Sequence, residues 1–207
     1  MNDTKPDTVP EKCINCSAEL TSPVVCSGCH TLYPLPQSVD YFGLLGLPRA
    51  YDLDESALEK RFLSVSRHIH PDYFGSASGE MQQLSVRLSA ELNQAVKVLR
   101  QPVLRAGYLL ELCGGPGPAS DRTVPPEVLG ETMMLREEIE EAQADEDHPA
   151  LQRLRKTVEE KRAVLVERIA ELARRLPNAA AEDKTALRHT LNAVKYYDNM
   201  LELLWEA

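Results

Sequence analysis

From residue 54 onward the apolar positions recur at steps of three and four, the mark of helices that bury one face. Leu58, Phe62, Val65 and Ile69 make one stripe, and Met81, Leu84, Leu88, Leu92, Ala95 and Leu99 make the next. The spacing predicts helices over residues 54–69 and 78–100. Asp54 is placed to cap the first, with Leu53 and Leu58 at the positions of a hydrophobic staple. A short helix is predicted over 40–47, closed before Pro48. Gln101-Pro102 stops or kinks the second long helix, and a shorter apolar segment, 103–112, follows. Three more helices are predicted beyond, over 125–144, 150–176 and 182–205. Leu151, Leu154, Val158, Leu165, Ile169, Leu172 and Leu176 form the inward stripe of the middle one; Leu187, Leu191, Val194 and Leu201 form that of the last. Short connections imply antiparallel neighbours, hence a three-helix bundle.

The remaining stretches set boundaries. Residues 1–37 hold four of the five cysteines and little else apolar. They are too few to bury a core, so a bound metal would have to supply their folding energy. Pro34-Leu35-Pro36 is a stiff separator. Cys113-Gly114-Gly115-Pro116-Gly117-Pro118 is the most helix-hostile run in the chain and reads as a domain boundary. The expected organisation is a cysteine module over 1–37, a helical domain over 38–112, a linker over 113–124 and the bundle over 125–207.

Composition narrows the partners. With 43% hydrophobic residues the 207-residue chain can bury a core, and its 5% aromatic content leans towards helix. A net charge of −9 argues against nucleic acid or an anionic membrane as the main partner. No apolar run reaches the roughly eighteen residues a membrane span needs. The first twelve residues have neither an apolar signal core nor an Arg-rich, acid-poor pattern, so a cytoplasmic protein is expected.

Cys13-Ile14-Asn15-Cys16 and Cys26-Ser27-Gly28-Cys29 are paired C-x-x-C elements. Without an export signal they read as a metal site more readily than as disulfides. Two knuckles complete the tetrahedral thiolate shell that zinc prefers, one ion per chain. A rubredoxin-like iron site uses the same ligands, and redox-active thiols are a third reading. Four sulfurs leave no open coordination position, which disfavours metal-dependent catalysis. His30 reads as a bystander and Cys113 as a small apolar residue.

His70-Pro71-Asp72 falls between the first two long helices. Proline cannot continue the helix before it, so a His and an Asp stand on a stiff turn. They are two exposed polar residues, a catalytic pair, or a recognition loop. No nucleophile or cleft is evident nearby to support catalysis. Lys60, Arg61, Arg67 and His68 lie on the helix directly before the turn and favour recognition.

A basic amphipathic helix, His-Pro-Asp and a second antiparallel helix together resemble a J domain. Asp40-Tyr41-Phe42 with Gly46-Leu47-Pro48 is similar to the opening of the J-domain co-chaperones of iron–sulfur cluster assembly, the HscB family. Leu92-Asn93-Gln94-Ala95, Leu99-Arg100-Gln101-Pro102 and Arg105-Ala106-Gly107-Tyr108-Leu109-Leu110 resemble that family's signature after the J domain. Met133-Met134-Leu135-Arg136-Glu137-Glu138-Ile139 resembles its bundle motif, and some members carry a similar double C-x-x-C in front. The resemblance covers about residues 40–205. It implies a non-enzymatic co-chaperone: a bundle that binds an IscU-type scaffold and a J domain, here 38–112, that stimulates the ATPase of a DnaK-class chaperone. His70, Pro71 and Asp72, with Lys60, Arg61, Arg67 and His68, would contact the chaperone. Two other classes remain open, a general J-domain co-chaperone for unfolded clients and a redox or electron-transfer protein built on the cysteines.

The bundle's first helix supports a partner surface independently. At 100° per residue, Val128, Thr132, Leu135, Ile139 and Ala142 cluster within about 40° of one direction, the core face. Leu129 and Met133 lie roughly 100–140° away, and Met134, Glu137 and Glu141 continue round the opposite side. On the last helix Tyr196 falls about 140° from Leu191. These residues make a Met-rich, acid-rimmed candidate patch. By the resemblance Leu129, Met133, Met134, Glu137, Glu141 and Tyr196 would bind the scaffold, with Gly130 standing where family members often have a larger apolar residue.

Overall fold

The structure, a computed structural model, describes residues 10–205. The reading of the N-terminus as free of a targeting pattern therefore falls mostly on residues 1–9, outside the described ones. The fold is mainly α, with a four-cysteine knuckle at the N-terminal end and no strand among the described residues. It divides into two compact units, residues 1–101 and 102–207.

In the first unit a short helix, α1 (Tyr41–Leu45), starts at Asp40, whose carboxylate accepts from the Gly43 N–H at 2.7 Å. It stops at Gly46, which adopts φ +62°, the left-handed conformation that glycine takes without steric cost. Helix α2 (Glu55–Ile69) is capped by Asp54, and α3 (Gly79–Arg100) by Ser78. Glu59 pairs with Arg100, and the Ile69 carbonyl meets Ser85, so α2 and α3 run antiparallel. Phe42, Leu44 and Leu45 of α1 are buried with Leu58, Val65 and Ile69 of α2 and Leu88, Leu92, Ala95 and Leu99 of α3. Both predicted stripes face inward.

The second unit contains α4 (Pro102–Leu112), α5 (Pro126–Ala144), α6 (His148–Arg175) and α7 (Ala181–Leu203). At 28 residues α6 spans about 42 Å and is the backbone of the unit. One end of the core joins Leu135 and Ile139 of α5, Val158 of α6 and Tyr197 and Met200 of α7. Glu131 locks the three together, pairing with Lys161 of α6 and accepting from the Tyr197 hydroxyl at 2.6 Å. The Lys161 hydrogen bond, then that of Tyr197, holds the Glu131 carboxyl below its usual range.

The division between units differs from the sequence expectation. Helix α4 packs on α6 and α7 and buries Ala106, Leu109 and Leu110, so it belongs with the bundle rather than with the domain before it. The expected linker, 113–124, is a strap bonded to one face of α7. Lys184 donates to the Cys113 carbonyl (2.8 Å), and Arg188 to that of Pro116 (2.8 Å). Asn192 donates to the carbonyls of Asp121 (3.1 Å) and Thr123 (3.0 Å), and His189 lies 3.0 Å from the Asp121 carboxylate. Glycines and prolines leave this segment unable to form its own ladder, and α7 satisfies its carbonyls instead. Among the described residues no helix is long and apolar enough to cross a membrane.

Candidate functional site

Three sets of residues carry candidate chemistry. The first is the cysteine module. Each C-x-x-C folds into the same knuckle. The N–H of Cys13 donates to the Ala18 carbonyl (2.8 Å) and the N–H of Ser17 returns to that of Cys13 (2.9 Å). Thirteen residues on, Cys26 donates to Thr31 (3.0 Å) and His30 returns to Cys26 (2.9 Å). Ser17 and His30 both adopt positive φ, 60° and 58°. That turn after each second cysteine curls the backbone so that both sulfurs of a pair point the same way.

The four ligand sulfurs, of Cys13, Cys16, Cys26 and Cys29, lie within 4.8 Å of one another. Cys13 and Cys29 lie 3.5 Å apart and Cys16 and Cys26 3.6 Å. A tetrahedral ion with sulfurs at 2.3 Å needs them about 3.8 Å apart, so the residues fit a metal ion. The module's own hydrogen bonds prepare the thiolates. The Tyr33 hydroxyl donates to Cys13 (3.1 Å) and brings its thiol down to about 5, and Thr31 lowers that of Cys29. Cys16 is pulled down by the Ala18 backbone, but the sulfurs of Cys29 and Cys26 prevail and push it up to about 12. Four thiolates do not coexist in this space without a cation. Tyr33 and Thr31 went unpredicted, because their role depends on contacts that no ligand spacing encodes.

The second set is the His-Pro-Asp turn. Residues Pro71–Phe74 form one 3-10 turn, capped by His70. The His70 Nδ1 accepts from the Asp72 N–H at 3.3 Å. His70, Asp72 and Tyr73 are exposed, whereas Ile69 before them and Phe74 after them are buried. The turn is fastened at both ends by α3. Buried Ser85 donates to the Ile69 carbonyl (2.5 Å), and Gln82 donates to the carbonyls of Gly75 and Ala77 (3.1 Å each). A serine inside an otherwise apolar stripe was the signal for this clamp. Ser85→Ala leaves the Ile69 carbonyl with only the longer side-chain hydrogen bond from Ser89 (3.4 Å), and is expected to destabilise the protein by about 1 kcal/mol. Thermal unfolding checks this; an unchanged Tm removes Ser85 from the clamp.

Lys60, Arg61 and Arg67 are exposed on α2, with His68 half-buried beside them. Among the described residues none of these three basic side chains has a carboxylate partner, whereas Arg49 and Arg100 are paired to Asp40 and Glu59.

The third set is on the second unit. Leu129, Met133, Glu137 and Glu141 follow one another at steps of four along the exposed side of α5, with Met134 beside them. Met133 and Met134 keep 66% and 60% of their surface exposed, adjacent apolar side chains outside the core. Tyr196 is presented separately by α7, next to Tyr197 in the lock on Glu131.

Residues 124–204 match the family model described as the HSCB C-terminal oligomerisation domain. The fold is similar to that of the human co-chaperone protein HscB, with TM-score 0.76 and 25% identity over 94% of this chain and 97% of that one. It is also similar to the chaperone HscB from Vibrio cholerae, with TM-score 0.67 and 28% identity over 81% of this chain and 96% of that one.

Proposed function

We propose that this chain, an HscB-type J-domain co-chaperone of iron–sulfur cluster assembly with an N-terminal four-cysteine metal-binding module, couples an IscU-type scaffold to a DnaK-class chaperone. Co-chaperones of this type are generally non-enzymatic and partner a chaperone and an iron–sulfur scaffold. In this reading the bundle holds the scaffold through Leu129, Met133, Met134, Glu137, Glu141 and Tyr196. The helical domain of the first unit presents His70, Pro71 and Asp72 to the chaperone. Lys60, Arg61, Arg67 and His68 steer the encounter towards acidic surface. ATP hydrolysis stays in the chaperone's own active site.

The observation that carries this reading is that each of the two units presents a prepared surface of its own. A polar turn, clamped by Ser85 and Gln82, stands beside unpaired cations on the first unit, and an exposed methionine face stands on the second. A molecule that only bound unfolded clients would have no need of an acid-rimmed patch of fixed composition, and a redox protein would need neither surface. The metal is assigned as structural zinc, since four thiolates complete its shell; iron is the alternative.

Single-turnover ATP hydrolysis by the cognate chaperone tests the coupling. The chain and the scaffold together are expected to stimulate well beyond the sum of each alone. Met133→Ala combined with Tyr196→Ala should weaken scaffold binding by about 2 kcal/mol or more and abolish that excess, leaving the chain's own stimulation in place. Stimulation indifferent to the scaffold would favour the general co-chaperone instead.

A further inference from the structure

We infer that the tetracysteine module is part of the chaperone-docking surface, forming one wall of a pocket that receives a carboxylate side chain of the DnaK-class chaperone. This rests on the reading that α2 docks that chaperone. The pocket lies where the module meets α1 and α2, inside the first unit. Thr21, Ser22 and Ser27 line it from the module, and Arg61, Ser64 and His68 from α2. Its volume is about 60 Å³, room for several water molecules and so for a carboxylate group.

Charge decides what enters. In a chain of net charge −9 the lining contains no Asp or Glu, but it contains an arginine, a histidine and four hydroxyls. Arg61 has no carboxylate partner among the described residues. Its guanidinium lies against Gly46 at the end of α1, 3.8 Å from where a Cβ would stand, an ordinary van der Waals distance. His68 is fixed from the other side by the module: its Nδ1 is 3.2 Å from that of His30, and the rings are 4.9 Å apart. Two of the α2 groups assigned to steering are thus positioned by elements outside α2, one by α1 and one by the knuckle. Hydroxyl donors and a planar guanidinium around a small cleft suit a single carboxylate. An extended apolar segment would find no groove there.

The test uses the full metal-loaded chain and reads the concentration that half-saturates ATPase stimulation at low salt. Thr21→Glu is expected to raise it about fivefold or more, chiefly through slower association, and Thr21→Lys to lower it. Maximal stimulation and scaffold affinity should hold for both. Ser27→Asp and Ser27→Arg repeat the pair from a second position, and metal analysis of each variant shows which pair has an intact knuckle. Half-saturation that ignores the sign of the new charge, or shifts the same way for both signs, removes the module from the docking surface. His70→Gln separates the two levels. If that variant still abolishes stimulation, only the pocket assignment has failed; if stimulation survives it, the docking reading has failed and the pocket falls with it.

Discussion

His70→Gln is expected to reduce stimulation of the chaperone's ATPase to its basal rate while leaving fold, metal content and scaffold affinity unchanged. The expectation follows from where the side chain stands. His70 caps a single turn of 3-10 helix and is exposed; the residues that hold the turn in place are Ile69, Phe74, Ser85 and Gln82. Glutamine keeps a polar group there but loses the imidazole whose Nδ1 meets the Asp72 N–H and whose ring lies edge-on to exposed Tyr73. Pro71 denies the turn a backbone donor and fixes its φ, so no local rearrangement restores the shape. Only the presented surface changes. A residue that touches no core should not move the melting temperature, so lost stimulation with an unchanged Tm assigns the effect to contact with the chaperone. Stimulation within about twofold of the parent would show that the turn is an exposed loop and nothing more.

The helices of the first unit were legible because every local cue agreed: stripes at helical spacing, Asp54 as a cap, and a proline where α2 ends. The knuckles were legible for a different reason. Ligand identity and spacing almost fix the geometry of a metal site, so the cysteines alone place the sulfurs. What could not be read was long-range. Ala106, Leu109 and Leu110 are as compatible with packing on the helices before them as on those after them, and the glycine-rich run at 113–118 imitates a linker. The bonds of that run and of Asp121 and Thr123 beyond it to Lys184, Arg188, His189 and Asn192 join residues about seventy positions apart, as in the Lys184–Cys113 and Arg188–Pro116 pairs. The exposed α5 stripe was visible as a set of apolar positions off the core face. Which of its members a partner covers is a property of two molecules, and one sequence holds only half of it.

Removing the metal is expected to unfold the knuckles and leave the helices standing. The module buries Cys13, Val24, Val25, Cys26, Leu32 and Tyr33, too little apolar surface to hold it alone. Structural zinc in small modules supplies about 10–16 kcal/mol of apparent binding energy, and that energy becomes folding energy. Without it the thiols face one another at 3.5–3.6 Å, where Cys13 and Cys29 favour ionisation and Cys16 resists it. Chelation or Cys26→Ser should therefore abolish hydrogen-exchange protection at the amides of Cys13, Ser17, Cys26, His30 and Tyr33, all of which are bonded within the module. The amides of α2, α3 and the bundle should keep theirs, because their cores contain no cysteine ligand. The purified chain is expected to be colourless with one zinc ion; a red chain containing iron would assign the site to the rubredoxin-like alternative. Protection that persists after the metal is gone would mean that the knuckles fold on their own hydrogen bonds and on packing against α1 and α2. The module would then be a rigid extension of the first unit, with the ion as a reinforcement.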